Sequence, residues 1–181
     1  MKKAPFRFSA AQPGEPIVFS SARPGYADQD VRAWIDWMQH QDIKRVCCLL
    51  APDQLDRYSH LLQAYRQAFG QGQVNWVPVK DFHLIDRDDL TQKILPFLAA
   101  SEQQGDRVVV HCAGGIGRTG QVMAAWLVWM RGLSIQTAIE AVKKTGRNPY
   151  EFALAGILKG KNPLTEKKRF DRLLENLLEN D

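Results

Sequence analysis

The stretch Arg107-Val108-Val109-Val110-His111-Cys112-Ala113-Gly114-Gly115-Ile116-Gly117-Arg118-Thr119-Gly120 decides how the rest of the chain is read. Its opening residues, Arg107 to His111, give the strongest strand signal in the sequence. Glycines follow at 114, 115, 117 and 120. Gln121 to Arg131 is then apolar nearly all round, which predicts a buried helix. Strand, glycine loop and buried helix in that order place the loop at the C-terminal edge of a sheet, where α/β folds carry their sites.

Upstream, residues 1–28 are rich in Pro, Gly and Ser and hold two short extended pieces, Phe6-Arg7-Phe8 and Ile17-Val18-Phe19. Val31, Trp34, Ile35 and Met38 recur at i, i+3, i+4 and i+7, the spacing of an amphipathic helix. Arg45 to Leu50 reads as a buried strand ended by Pro52, and Asp53 after it as a helix cap. Leu55, Tyr58, Leu62, Tyr65 and Phe69 mark a second helix, stopped by Gly70 and Gly72. Val74 to Val79 is the next strand, with Pro78 at its end. Leu90, Ile94, Phe97 and Leu98 mark a third helix, in which Pro96 predicts a kink or a late start.

Downstream, helices are expected over Ser134–Lys144 and Pro149–Leu158. A last one is marked by Phe170, Leu173, Leu174, Leu177 and Leu178. The alternation predicts an α/β fold: a mainly parallel central sheet flanked by helices, with extra C-terminal helices, in a single domain over residues 1–181. Internal repeats and a linker that would divide the chain are absent from the sequence.

Composition narrows the function classes. Cys47, Cys48 and Cys112 are too few for a disulfide framework and lack zinc-site spacing, so a reducing, cytoplasmic setting is expected. No apolar run approaches a membrane span, and Met1-Lys2-Lys3 has no apolar segment behind it. The net charge of +4 suits an anionic ligand. Lys159 to Arg169 is interrupted by Glu166 and reads as a solvated loop and helix start, so neither nucleic acid nor membrane is an expected partner.

Three readings of the loop compete. Gly115-x-Gly117-x-x-Gly120 matches a dinucleotide fingerprint between strand and helix, but the acidic residue about twenty positions on would be Glu140, inside a helical run. A phosphate-binding loop of the Gly-Lys-Ser/Thr kind fails, because Gly117-Arg118-Thr119 lacks the lysine. The third reading starts from Cys112 and Arg118. Amides at a helix N-terminus form an anion cradle, and the positive end of the helix favours a thiolate at its base. Arg118 can fork onto two phosphate oxygens, and the glycines let the backbone close on a ligand.

His111-Cys112, five residues, then Arg118-Thr119 is similar to the signature loop of cysteine-dependent protein tyrosine and dual-specificity phosphatases. The filling Ala113-Gly114-Gly115-Ile116-Gly117 most resembles kinase-associated and small microbial dual-specificity members. The resemblance covers the chain from Ser20-Ser21-Ala22-Arg23-Pro24 to the helix after the loop. It implies that Cys112 attacks phosphorus and that Arg118 and the loop amides, Ala113 to Arg118, bind the phosphate. It also implies that Thr119 hydrogen-bonds the departing sulfur and that His111 supports the loop and thiolate by hydrogen bonds. It calls for no metal and no cofactor.

The family's general acid is an aspartate about thirty residues before the cysteine. Asp81, Asp86, Asp88 and Asp89 are the candidates. Asp81 is 31 residues before Cys112, closely follows a strand, and lies in Pro78-Val79-Lys80-Asp81-Phe82, which resembles the family's acid loop. A solvated loop carboxylate is its plain alternative. Asp86, Asp88 and Asp89 read as helix-start charge. Cys47 and Cys48 read as small hydrophobes of a buried strand, with a reversible disulfide to Cys112 as the sharper alternative. His83 and Phe82 either line the cleft or pack, Tyr26 and Arg23 could meet substrate, and Arg147 reads as a surface arginine, with a second phosphate contact as its alternative.

The expected substrate is a phosphorylated protein or peptide, phosphotyrosine and also phosphoserine/threonine, taken by a monomer. A loop without lysine argues against phosphoinositides. A phosphate-binding module without turnover and an arsenate-reductase-like redox enzyme are the readings from other classes.

Overall fold

The computed structural model describes residues 5–157, 160 and 162–178. Five strands form one sheet in the order β1-β2-β5-β3-β4, where β1 is Ser9–Ala10, β2 Val18–Ala22, β3 Ile43–Cys48, β4 Val74–Trp76 and β5 Arg107–Cys112. β1 runs antiparallel to β2, and the other pairings are parallel. β5 is the centre of the sheet. It sends Val108, Val110 and Cys112 to one face and Val109 and His111 to the other, the alternation a strand imposes.

Helices α1 (Asp28–His40) and α3 (Leu61–Phe69) cover the His111 face through Trp34, Met38, Leu61 and Tyr65. The Cys112 face is covered by α4 (Leu95–Gln104), α5 (Gly117–Trp129), α6 (Ile135–Lys144) and α8 (Pro163–Leu178). Every residue of α5 from Gly117 to Val128 is buried, as a helix apolar all round requires. Among the described residues there are also two short helices, α2 (Pro52–Leu55) and α7 (Glu151–Ile157).

The structure corrects several local readings. Phe6-Arg7-Phe8 is not extended. Pro5–Arg7 is a 3₁₀ turn, and its aromatic neighbours anchor on Trp37 and Phe19. The helix read through Leu55 to Phe69 is two helices. The break at residues 56–60 lets the Tyr58 hydroxyl reach the Pro24 carbonyl at 2.9 Å. β4 stops at Trp76, and Val77 and Val79 still donate to Cys48 and Leu49 on either side of Pro78, which has no N–H to give. Pro96 enters at the second residue of α4, directly after a π-helical turn over Asp89–Ile94. Asp53 lies in the first turn of α2, whose cap position is Ala51. Leu158 and Lys159 fall outside the described residues. Among the described residues no helix is long and apolar enough to cross a membrane.

Candidate active site

Cys112 is the last residue of β5 and is 2% exposed. The chain turns back over it into α5, whose first turn carries Arg118 and Thr119. The Thr119 hydroxyl donates to Cys112 Sγ at 3.0 Å. The loop is fixed from both neighbouring strands. Arg23 N, just past β2, donates to the carbonyls of Cys112 (3.0 Å) and Ala113 (3.3 Å), and Leu49 N, just past β3, donates to the His111 carbonyl. Gly115 has φ +67°, and a Cβ there would lie 2.5 Å from the Ser21 carbonyl oxygen. Only glycine allows both that backbone and that approach.

Arg118 is 2% exposed, yet half its guanidinium is unspent. Nη1 is anchored three ways, to the carbonyls of Val79 (2.7 Å) and Leu49 (3.2 Å) and to Gln54 Oε1 (2.9 Å). The opposite edge, Nε and Nη2, is buried and finds no hydrogen-bond partner among the described residues. Asp81 Oδ1 stands 3.0 Å from Nη2, a charge contact outside hydrogen-bond alignment. Two parallel N–H groups on one edge match two oxygens of a phosphate.

Asp81 lies beyond β4, and its side chain is 39% exposed. Gln54 Nε2 donates to its other oxygen at 3.1 Å, so Gln54 bridges arginine and carboxylate. Downstream, Gln121 from α5 accepts from Ile85 N (2.9 Å) and donates to the His83 carbonyl (3.1 Å). Phe82, at φ 55°, is half exposed, and the His83 ring lies 2.7 Å from the Asp81 carbonyl. Asp86 and Asp89 are spent locally, Asp86 accepting from Asp88 N and Asp89 pairing with Lys93.

His111 is placed differently from its expected role. Its ring makes no hydrogen bond of normal geometry among the described residues; it packs against Trp34 and Tyr65 at centroid distances of 5.3 and 5.6 Å. Burial pushes its pKa down to about 3. The nearby Cys112 carbonyl opposes this, and the charges of Arg118 and Arg23 add to it. The ring is therefore a neutral packing element beneath the loop.

Cys47 and Cys48 face opposite sides of the sheet, and all three cysteines are free. Burial raises both strand thiols, Cys48 to about 12. Arg147 is not a surface arginine. It is 5% exposed, donates to the carbonyls of Arg7, Thr145 and Ser20, and burial lowers its pKa to about 10. Arg23 and Arg57 both lie over the Tyr26 ring, 3.8 and 4.0 Å from its centroid.

Sequence reading passed over Gln54 and Gln121. Gln121 had a signal, as the first polar residue of an otherwise apolar buried helix, and buried amides need partners. Gln54 had a weaker one, a polar residue in the turn after Pro52 at the sheet edge that holds the loop.

The family described as dual specificity phosphatase, catalytic domain, matches residues 36–152, which span Asp81 and the whole loop. Rat dual specificity protein phosphatase 5 is 29% identical over 69 residues, 38% of this chain and 18% of that protein. The putative tyrosine phosphatase 123R of Invertebrate iridescent virus 6 is 31% identical over 84 residues, 46% of this chain and 58% of that protein. The chain thus spans less than two thirds of the length of either relative. The crystal structure of Tk-PTP in the active form is 25% identical, with 86% of this chain and 92% of that chain covered at a TM-score of 0.64.

Proposed function

We propose that this chain, which belongs to the dual specificity phosphatase catalytic domain family, hydrolyses phosphate monoesters on tyrosine, and also on serine and threonine, of phosphorylated proteins through a phosphocysteine. One observation carries the reading. Arg118 is locked by one nitrogen and offers two unspent donors, in the same loop that ends β5 with a cysteine bonded to Thr119.

In the first step the Cys112 thiolate forms a bond to phosphorus while the bond to the leaving oxygen breaks. The loop amides from Ala113, Gly114, Gly115, Ile116, Gly117 and Arg118, with the Nε–Nη2 edge, hold the non-bridging oxygens as charge shifts among them. A phosphate that takes this edge displaces Asp81 from Arg118 and leaves the carboxyl free to serve the leaving oxygen. Asp81 gives a proton to that oxygen. In the second step Asp81 takes a proton from water, the water oxygen attacks phosphorus, and the sulfur–phosphorus bond breaks. The Thr119 hydroxyl, donating at 3.0 Å, stabilises the sulfur as it leaves with its electron pair. His111 supports the loop by packing. The free cysteines are consistent with a reducing, cytoplasmic setting.

Hydrolysis of p-nitrophenyl phosphate in EDTA tests the assignment. The parent should turn over and Cys112→Ser should not. Turnover that survives Cys112→Ser, or a parent inert on this ester and on phosphotyrosine and phosphoserine peptides, contradicts it.

A further inference from the structure

Glu151 opens α7, where an acid is unremarkable as first-turn charge. Its surroundings are not ordinary. The turn before it is tied to the loop, Asn148 N donating to the Ile116 carbonyl at 3.4 Å, and Glu151 N donates to the Asn148 carbonyl at 3.0 Å. The carboxylate lies directly against Gly117. A Cβ on that glycine would collide with Glu151 Oε2, so residue 117 must be glycine for the carboxylate to sit there. A half-buried negative group therefore lies against a backbone unit assigned above to the phosphate.

We propose that the Glu151 carboxylate competes with the substrate's phosphate for the Gly117 segment of the cradle, so that a dianion binds fully only when this side chain takes a proton or withdraws. The inference rests on reading the loop as a phosphate cradle. The charges of three groups act on Glu151: Asp81 from the acid loop, Arg118 from α5 and Arg7 from the N-terminal turn. Burial raises the Glu151 pKa and the Asp81 charge adds to this, while the Gly117 amide, Arg118 and Arg7 oppose it. The carboxyl thus gains its proton at a higher pH than a free glutamate, and anion binding should improve as pH falls through that range.

Sulfate is a suitable probe, because it is not turned over and keeps its charge from neutral to mildly acidic pH. Its affinity is measured by calorimetry in the full chain carrying Cys112→Ser, with and without Glu151→Gln. At about pH 7.5 Glu151→Gln should tighten sulfate about fivefold, and the gap should narrow as pH falls. Glu151→Ala should act in the same direction. With Cys112 restored, Glu151→Gln should lower KM for p-nitrophenyl phosphate more than it changes kcat. Sulfate affinity that is unchanged or weaker in both variants at every pH overturns the proposal and leaves the glutamate a helix-start charge. A Cys112→Ser chain that binds no sulfate at any pH removes the cradle reading itself, and this inference with it.

Discussion

Arg118 lies in the first turn of α5 and Arg131 just past its last turn, and each meets a carboxylate, Asp81 at 3.0 Å and Glu15 at 2.8 Å. Their surroundings differ. Arg131 spends every nitrogen, Nε and Nη2 on Glu15 and Nη1 and Nη2 on Glu102, and Glu15 also accepts from the amides of Ile17 and Val18. Burial alone would raise the Glu15 carboxyl, but these bonds outweigh it and hold the pKa low. Arg131 also stands at the helix end whose dipole favours a cation, whereas Arg118 stands at the end that opposes one. A saturated pair at the favourable end joins the segment before β2, α4 and α5. An unsaturated pair at the unfavourable end leaves two donors without a hydrogen-bond partner among the described residues.

That contrast can be broken at either end. Arg118→Lys keeps the charge but loses the fork, and kcat/KM should fall about 10³-fold while unfolding free energy falls by only about 1 kcal/mol, from the acceptors of Nη1 left behind. Equal loss of activity and stability would remove the distinction. Arg131→Ala should do the reverse. It leaves Glu15 buried without its partner, so unfolding free energy should drop by about 3 kcal/mol with kcat/KM unchanged. Asp81→Asn sharpens the functional side. Turnover of alkyl phosphates, whose leaving groups need a proton, should slow about 10²-fold, and bond cleavage in p-nitrophenyl phosphate much less.

The smallest expected effect concerns the neutral ring beneath the loop. Folded His111 stays unprotonated down to about pH 3, while an unfolded histidine takes a proton below about 6.5. Its contribution to stability is therefore complete above the unfolded value and is lost as pH falls, by about 1.4 kcal/mol per pH unit. Urea midpoints of the parent and His111→Asn, compared between about pH 7 and 5, should show a shallower pH slope in the variant. Parallel slopes would mean that the ring charges in the folded state.

Much of this architecture was legible because local pattern and global packing agree. The run Val108–Val110 is the central strand, and the apolar run Val122–Val128 is the buried helix. Reading failed where a tertiary contact overrode the local pattern. Tyr58 fits a continuous helix by spacing, but its bond to Pro24 demands a break. Arg147 looks exposed in a connector between helices, but the carbonyls of Arg7 and Ser20 from distant segments enclose it. At the site, the cysteine, arginine and threonine share one contiguous motif. Gln54 is 64 residues from the arginine it holds and 27 from the carboxylate it bridges, so only the closed fold brings the three together.

A phosphoryl group on the Cys112 sulfur is the intermediate that this chemistry requires, and it can be trapped. Asp81→Asn should slow hydrolysis of the intermediate more than its formation from p-nitrophenyl phosphate. Acid quenching during turnover, followed by peptide mass mapping, should find one phosphoryl group on the peptide that carries Cys112 and none in Cys112→Ser. A phosphoryl group on another residue, or steady turnover with Cys112 never modified, would contradict the account.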